Sequence, residues 1–274
     1  MSRVTAADLR ERLAQGEPLA VLDVRYYLTE PGRGEREYLE GHIPGAAFVD
    51  LDTDLAAAPT GPGGRHPLAS ASDFGAAMRR AGVRVDGPVV VYDQRTSLSA
   101  GRAWWMLCNA GHRRVEVLDG GFAAWLAGGG EVEPGRVSPE PGDFRPGPDL
   151  LPQVRAEDIA ALVGSGRRLV DVRAAERFRG DVEPIDPVAG HIPGALNLPA
   201  GELFTAEGTL LPVAELRARL APLGPGDAVS CGSGVTAAQV LWALDVAGID
   251  GVALYAGSWS DWISDPSRPV ARGA

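Results

Sequence analysis

One cysteine stands where the chain could activate it as a nucleophile. Cys231 follows the short run 227–230, precedes a helical pattern, and begins the loop Cys231-Gly232-Ser233-Gly234-Val235-Thr236. The unpaired N–H groups and the positive dipole end of a helix start favour an anion or a thiolate. Two glycines let the backbone curl so that several amides point at one centre, and two hydroxyls add donors. A lone cysteine can also be a small buried hydrophobe, but this loop favours nucleophilic attack by sulfur.

The composition excludes several classes of function. Of the 274 residues, 23% are charged and 45% are hydrophobic, and the formal net charge is -10. These values are ordinary for a globular chain of about two domains, and the acidic balance argues against nucleic-acid binding. No apolar run approaches the roughly 18 residues of a membrane span, and residues 1–8 lack a signal core. With two cysteines and four histidines, we expect a cytoplasmic protein without a disulfide framework, a metal site or a cofactor.

The two halves of the chain repeat each other. Three pairs of segments correspond in order: 21–25 with 169–173, 41–46 with 190–195, and 119–125 with 256–262. Between the copies lies a stretch rich in Gly, Pro and Glu that has no apolar period, as expected for an extended linker. The repeat predicts a first domain over residues 1–128, a linker over 129–152 and a second domain over 153–274.

Short apolar runs alternate with helical patterns in each copy. Strands are predicted over 20–24, 89–92 and 115–118, and helices over 6–14, 72–81 and 100–110, with Ser72 as a helix cap. This alternation predicts an α/β fold in which each domain has a mostly parallel sheet flanked by helices on both faces. Ligands bind such sheets beyond the carboxyl ends of the strands, which is where Cys231 falls. In the first copy Asp93 takes its place without paired glycines, so we expect that domain to be catalytically inactive.

These motifs resemble the two-domain rhodanese (sulfurtransferase) family over essentially the whole chain. The Asp-Val-Arg and Gly-His-Ile-Pro-Gly-Ala segments of both copies, together with 119–121 and 257–262, look like family signatures. The resemblance implies two tandem rhodanese-like domains, of which the second carries a persulfide on Cys231. The Cys-Gly-Ser-Gly-Val-Thr loop is similar to that of 3-mercaptopyruvate sulfurtransferases, whereas thiosulfate-preferring rhodaneses usually carry Cys-Arg-Lys-Gly-Val-Thr.

The resemblance implies a reaction and its partners. A sulfane sulfur moves from 3-mercaptopyruvate through the Cys231 persulfide to a thiol or cyanide, and a thioredoxin-like reductant is a candidate acceptor. The loop serine, Ser233, is expected to act with an aspartate and a histidine of the first half. Asp52 and His66 lie in segments that resemble those carrying these two residues.

Substrate binding is implied for a second group of residues. An arginine before the second Gly-His-Ile-Pro-Gly segment is expected to meet the donor carboxylate, and Arg177 matches it. The backbone of the loop is expected to hold the sulfur through Gly232, Gly234, Val235 and Thr236. A second arginine usually follows the Glu-Pro pair of this segment, but here that position is Ile185.

Two other functions stay open. One is a thiosulfate sulfurtransferase, and the other is a non-enzymatic persulfide carrier or redox sensor that turns over no small donor. Cysteine phosphatases use the same fold, but they need an arginine six positions after the cysteine, where this chain has Ala237. The missing bidentate cation argues against phosphate-ester chemistry.

Several conspicuous residues are expected to be structural. His42 and His191, like Asp23 and Asp171, occur in both copies and cannot specify the chemistry of one. The six tryptophans are expected in the core and Cys108 in a buried helix position. Alternatives remain for two site residues, because Arg177 could be a surface ion-pair partner and His66 could be solvated.

Overall fold

The computed structural model describes residues 2–60 and 63–274, which form two units. The first unit runs from the N-terminus to Ala56 and includes Ala69–Leu150 and Phe204–Leu210. The second unit consists of Ala57–Leu68, Leu151–Leu203 and Leu211–Ala274. This division differs from the boundaries read from the sequence, because residues 57–68 belong with the second unit and 204–210 with the first. Most of the expected linker belongs to the first unit.

The first unit contains a sheet of five parallel strands in the order β1-β5-β4-β2-β3. Its strands are β1 (Arg3–Val4), β2 (Ala20–Asp23), β3 (Ala47–Phe48), β4 (Val89–Tyr92) and β5 (Val115–Leu118). Its helices are α1 (Ala6–Ala14), α2 (Arg33–Glu40), α3 (Leu51–Asp54), α4 (Ala71–Arg80), α5 (Leu98–Asn109) and α6 (Gly121–Ala127). The central strand β4 is buried at all four positions, as its unbroken apolar run indicates.

Local sequence signals explain where these helices begin. Thr5 caps α1 by accepting the N–H of Asp8, and Ser70 caps α4 by accepting the N–H of Asp73. The cap of α4 predicted at Ser72 is therefore wrong by two residues, since Ser70 is the residue with extended backbone. Residues 129–150 contain no helix or strand, but Phe144 is buried and packs edge-on against Phe74, so this stretch is not a free linker.

The second unit repeats the strand order of the first. Its parallel sheet runs β7-β6-β8-β9, with strands β6 (Leu169–Asp171), β7 (Leu196–Asn197), β8 (Ala228–Ser230) and β9 (Ala253–Leu254). Gln153 makes a parallel bridge to Leu254, in the place that β1 takes beside β5. The helices are α7 (Ile159–Gly164), α8 (Ala175–Arg179), α9 (Val213–Leu220), α10 (Val235–Ala247) and α11 (Ser258–Trp262), with 3-10 turns at Ala156–Asp158 and Ala200–Leu203. The predicted fold class, two tandem α/β domains with parallel sheets flanked by helices, is confirmed.

The repeated motifs form the same structural clip in each unit. Arg25 binds the carboxylate of Asp23 at the end of β2 and donates to the carbonyl oxygen of Gly41 at 2.7 Å. Arg173 likewise binds Asp171 and the carbonyl oxygen of Gly190, also at 2.7 Å. Each clip ties a strand end to the Gly-His-Ile-Pro segment, which accounts for the Asp-Val-Arg spacing.

The histidines of the repeat have structural surroundings. The Nδ1 atoms of His42 and His191 lie 2.9 and 2.8 Å from the backbone oxygens of Tyr38 and Phe178, and each imidazole stacks on that aromatic ring. All six tryptophans are buried, as predicted: Trp104, Trp105, Trp125, Trp242, Trp259 and Trp262. Cys108 lies in α5 but is only half-buried, so the prediction of a buried position is wrong. No helix in the described part of the chain has the length and apolar character that crossing a bilayer needs.

The strand order places one loop at the point where ligands bind such sheets. Strands β6 and β8 are neighbours in register, with Asp171 paired to Ser230 at their carboxyl ends. The chain leaves β8 directly into Cys231, at the position where the order of connections reverses between β6 and β8. A crevice outside the carboxyl ends at such a switch point is the usual binding place in open α/β sheets.

Candidate active site

The sulfur of Cys231 is held at the start of α10. The residue is 2% exposed, and the backbone N–H of Gly234 donates to Sγ over 3.1 Å. Gly234 has a φ of 79°, and a Cβ there would collide with the carbonyl oxygen of Ala256. Only glycine fits this turn, because both the left-handed backbone and the space require it. Val235 is buried as the first residue of α10, and Thr236 behind it is half-buried.

The N-terminus of α11 supports the loop from the other side. The N–H of Cys231 donates to Oγ of Ser258 over 3.0 Å, and that hydroxyl donates to the carbonyl oxygen of Tyr255 over 2.8 Å. The backbone N–H groups of Trp259 and Ser260 donate to the carbonyl oxygens of Cys231 and Gly232. Three hydrogen bonds from one short segment therefore set the path of the chain on either side of the sulfur.

Ser258 adopts a conformation that serine rarely takes. Its φ is 53°, and it is completely buried. In the first unit Gly121 occupies the corresponding position with a φ of 57°, where glycine has no steric penalty. A left-handed backbone at a residue with a Cβ costs about 1–2 kcal/mol. Glycine could form the turn without this strain. What serine adds is the hydroxyl group that binds the N–H of Cys231.

Ser233 and His66 lie together in the second unit. His66 is buried, and its Nδ1 lies 2.7 Å from Oγ of Ser233, although 167 residues separate them in the chain. The alternative of a solvated His66 is therefore wrong. The N–H of Gly63 donates to the carboxylate of Asp261, and the N–H of Arg65 donates to Oγ of Ser260. These hydrogen bonds hold the segment that carries His66 against helix α11.

Arg177 belongs to a buried ion network. Its guanidinium donates to Glu183 at 2.7 Å and to Asp186 at 3.2 Å, and Glu183 also pairs with Arg173. Burial alone would raise the pKa of Glu183, but the hydrogen bonds from Arg177 and from the N–H groups of Asp186 and Ile185 lower it. The carboxylate therefore stays ionised and orients Arg177. The side chain is only 16% exposed, so it is not the surface ion-pair partner that the sequence left open.

A second guanidinium lies beside the loop, and the sequence analysis missed it. A Cβ on Gly232 would lie 3.3 Å from Nη2 of Arg65 and 3.9 Å from both Nη atoms of Arg177. The absence of a side chain at Gly232 thus leaves room for two cations next to Cys231. Ile185, where the resemblance led us to look for a second arginine, is exposed. Arg65 follows two glycines in a segment that carried no helical or strand pattern, so the sequence offered no signal for it.

Asp52 lies in α3 of the first unit. Partial desolvation of its carboxyl group raises its pKa, while a hydrogen bond from Tyr26 acts in the opposite direction. The residue as a whole is exposed, and solvent limits the size of such a shift. Its part in a relay with His66 stays a prediction.

The first unit fills the corresponding loop with a carboxylate of its own. Asp93 is buried and accepts backbone N–H groups of Arg95, Ser97, Ser99 and Ala100. Complete burial raises its pKa, and these four N–H groups act against that rise. Amides at the start of α5 that could have cradled a ligand anion therefore bind a side chain. The inactivity of the first copy stays a prediction, which this arrangement supports.

The comparisons with known proteins identify the family. The rhodanese-like domain matches residues 5–128 and again residues 155–265. The chain belongs to the rhodanese-like family. The family predicted from the sequence motifs is thereby confirmed, and the two matched ranges correspond to the two copies of the repeat.

Rhodanese-like relatives cover nearly all of this chain. A Mycobacterium tuberculosis protein, provisionally named thiosulfate sulfurtransferase SseB, is 47% identical over an alignment of 276 positions that covers 98% of this chain and 96% of that protein. A Pseudomonas aeruginosa protein, provisionally named 3-mercaptopyruvate sulfurtransferase, is 46% identical over an alignment of 278 positions that covers 98% of each chain. The crystal structure of SseA from Escherichia coli, titled as a 3-mercaptopyruvate sulfotransferase, is 38% identical with a TM-score of 0.80, over 95% of this chain and 99% of that one.

Proposed function

We propose that this rhodanese-like protein is a sulfurtransferase that takes sulfur from 3-mercaptopyruvate onto Cys231 and passes it to a thiol or to cyanide. The observation that carries the proposal is the placement of Sγ against the Gly234 N–H at the start of α10. The names of the relatives support the reaction class, and those from Pseudomonas aeruginosa and Escherichia coli support the donor.

The proposed cycle has two displacements. The Cys231 thiolate attacks the sulfur of the donor, an S–S bond forms, and the donor C–S bond breaks with its electron pair on carbon. The carbon product is the enolate of pyruvate, which takes the proton that the donor thiol gives up. An acceptor thiolate then attacks the outer sulfur, the S–S bond breaks, and the Cys231 thiolate returns. With cyanide as acceptor the product is thiocyanate.

Backbone amides and a hydroxyl have separate parts in this cycle. The N–H of Gly234 stabilises negative charge on the bound sulfur, as donors of an oxyanion hole do for oxygen. The hydroxyl of Ser233 moves the proton between the donor thiol and the enolate, and His66, 2.7 Å away, accepts from that hydroxyl and returns the proton. Asp52 is proposed to complete the relay by orienting His66. The remaining loop residues, Val235 and Thr236, begin the helix whose dipole favours the thiolate.

The carboxylate of the donor is proposed to bind Arg177. The buried carboxylates of Glu183 and Asp186 hold this guanidinium in place, and its Nη atoms face the open side of Gly232. A planar guanidinium suits a carboxylate because it can donate two parallel hydrogen bonds. No resident cofactor is needed in this cycle, since the persulfide is the only covalent intermediate.

Steady-state sulfur transfer to cyanide tests the proposal. Purified protein is supplied with 3-mercaptopyruvate or thiosulfate in parallel, and Cys231→Ser is compared with Cys108→Ser, the variant of the second cysteine. We expect Cys231→Ser to abolish turnover, Cys108→Ser to retain it, and 3-mercaptopyruvate to give at least about tenfold higher kcat/KM, which is about 1.4 kcal/mol. Turnover by Cys231→Ser would contradict the mechanism.

Thiosulfate is the second candidate donor. The provisional name of the Mycobacterium tuberculosis relative favours it. Higher kcat/KM with thiosulfate would establish this alternative. Absence of turnover with either donor, together with a persulfide on Cys231 detected by mass spectrometry, would instead establish a sulfur carrier. We place the protein in the cytoplasm, where small thiols and thioredoxin-like reductants are available as acceptors.

A further inference from the structure

We propose that Arg65 is the second anion-binding arginine of this site and that Asp186 tunes the site for donors with one negative charge. The inference deepens the proposed function, on which it rests for the identity of the donor. Its first support is position: Nη2 of Arg65 is the nearest atom to the open side of Gly232, at 3.3 Å from where a Cβ would stand. Gly232 is covalently bonded to Cys231, so an anion between the two guanidinium groups lies next to the nucleophile.

The second support is the unused hydrogen-bonding capacity of Arg65. Its Nη1 donates to Oδ1 of Asp186 at 2.5 Å. Within residues 2–60 and 63–274, its buried Nε has no hydrogen-bond partner. Because a buried N–H without a partner is costly, native proteins rarely leave one unless something else binds it. Nε and Nη2 form one edge of the guanidinium, and that edge is the donor pair a carboxylate binds in bidentate fashion.

The third support is that the chain around Arg65 is built to hold it. Its N–H donates to Oγ of Ser260 at 3.0 Å, and the preceding Gly64 has a φ of 78°. A Cβ on Gly64 would collide with Ser260 and with the carbonyl oxygen of Gly257. The backbone can approach α11 this closely only because residue 64 is glycine. Arg65 and His66 are therefore delivered to the loop by one anchored segment of the second unit.

Asp186 links the two arginines and limits the charge of the site. Its carboxylate, 2% exposed, accepts from Arg65 through Oδ1 and from Arg177 through Oδ2. With Glu183 also bound to Arg177, the two cations beside Gly232 are matched by two buried carboxylates. The pair thus offers directed N–H donors without a surplus of positive charge. A singly charged carboxylate suits such a site better than doubly charged thiosulfate, which needs a net cationic environment.

Donor kinetics provide the first test. We expect Arg65→Gln to lower kcat/KM for 3-mercaptopyruvate about 10- to 100-fold, mainly through KM, because a charged hydrogen bond to the donor is lost. Arg65→Lys should recover part of this loss, since it keeps the charge but not the fork. The control is Arg155→Gln, which removes an exposed arginine of the same unit whose ion pair with Glu157 spans 3.9 Å. An unchanged KM in Arg65→Gln would overturn the proposal.

Asp186→Asn tests the charge argument separately. This nearly isosteric change removes one negative charge from beside both guanidinium groups, and a dianion gains about twice as much from its removal as a monoanion does. We expect the ratio of kcat/KM for thiosulfate over 3-mercaptopyruvate to rise about 3- to 30-fold at low ionic strength and to rise less in high salt. A ratio that stays constant, with both donors weakened equally, would refute the role of Asp186.

Alkylation of Cys231 separates this proposal from the sulfurtransferase reaction. Iodoacetate carries a carboxylate and iodoacetamide does not, so the ratio of their rates, normalised to a free thiol, reports carboxylate binding near the sulfur. Mass spectrometry of the peptide that contains Cys231 excludes signal from Cys108. We expect Arg65→Gln to lower this ratio about tenfold while the rate with iodoacetamide stays unchanged. If the ratio falls but neither donor is turned over, the carboxylate site stands and the proposed function fails; an unchanged ratio overturns the carboxylate site.

Discussion

The glycine that begins α10 should be indispensable, and the glycine that ends the same helix should not. Gly234 and Gly248 flank α10 with φ values of 79° and 74°. Substitution by alanine costs about 1–2 kcal/mol at either position for the left-handed backbone. A gain of about 0.4–1 kcal/mol from the less flexible unfolded chain offsets part of this cost. Backbone conformation alone therefore predicts two small and nearly equal losses of stability.

The surroundings of the two glycines differ. A Cβ on Gly248 would meet only Nη2 of Arg217, at 3.6 Å, which is an ordinary contact at the end of a flexible side chain. A Cβ on Gly234 would overlap the carbonyl oxygen of Ala256 and lie 3.0 Å from that residue's carbonyl carbon and Cα. Relief requires movement of backbone, and overpacking of this kind costs about 1–3 kcal/mol more. We expect Gly234→Ala to lower the free energy of unfolding by about 3 kcal/mol and Gly248→Ala by about 1 kcal/mol or less.

Urea unfolding and sulfur transfer to cyanide measure the two consequences together. Any movement that relieves the clash also moves the Gly234 N–H, which now lies 3.1 Å from Sγ of Cys231. Loss of one such donor typically lowers kcat about 10²- to 10³-fold, so Gly234→Ala should be nearly inactive at temperatures where it remains folded. Gly248→Ala should keep wild-type kcat. Equal stability losses in the two variants, or a Gly234→Ala protein with full activity, would refute the reasoning.

Four further changes have expected outcomes. Ser258→Ala should lower the free energy of unfolding by about 2 kcal/mol, because the buried N–H of Cys231 loses its acceptor. Ser258→Gly should lose less stability, because glycine relieves the strain at a φ of 53°. Urea unfolding of both variants decides this. His66→Ala should lower kcat with 3-mercaptopyruvate about 10²-fold, while the rate of Cys231 alkylation by iodoacetamide stays unchanged; a normal kcat would exclude the relay. Asp93→Ala should cost about 3 kcal/mol or more in urea unfolding, because buried amides lose their acceptor, yet leave kcat/KM of the folded protein unaltered. Burial lowers the pKa of His112, so the stability that its neutral form contributes is present above the usual pKa of about 6.5 and is lost as the pH falls. His112→Gln should therefore flatten the pH dependence of the unfolding free energy between about pH 7 and 5. An unchanged slope would count against this.

The repeat was the part of the fold most readable from the sequence. Apolar runs such as β4 need burial on both faces, so they predict a covered parallel sheet wherever they alternate with helices. The motif Asp-Val-Arg, found at the ends of β2 and β6, marks equivalent positions in the two copies. Strand bounds at 89–92 and 115–118 agree with the structure to the residue. These features depend on residues that are close together in the chain, so they can be read directly from the sequence.

The candidate catalytic cysteine could also be found from local pattern. A cysteine followed by two glycines and two hydroxyls, between a strand and a helix, implies a tight turn whose amides face the sulfur. The structure has that turn, with Gly234 donating to Sγ. The role of Ser258 was out of reach, because a left-handed φ at a serine follows from contacts that no pattern within residues 256–262 encodes.

The sequence by itself determined the two-domain α/β architecture, the presence of Asp93 where the second copy has Cys231, and the candidate nucleophile. Only the tertiary structure decided which charged groups surround that nucleophile. Residues 63–68 precede the second half by some eighty residues along the chain, yet they pack with it and bring Arg65 to Gly232 and His66 to Ser233. The position of this segment depends on backbone contacts with α11, and such contacts leave no periodic pattern in the sequence. Local sequence patterns predict single helices and strands. The candidate site, in contrast, is formed by segments that lie far apart in the sequence.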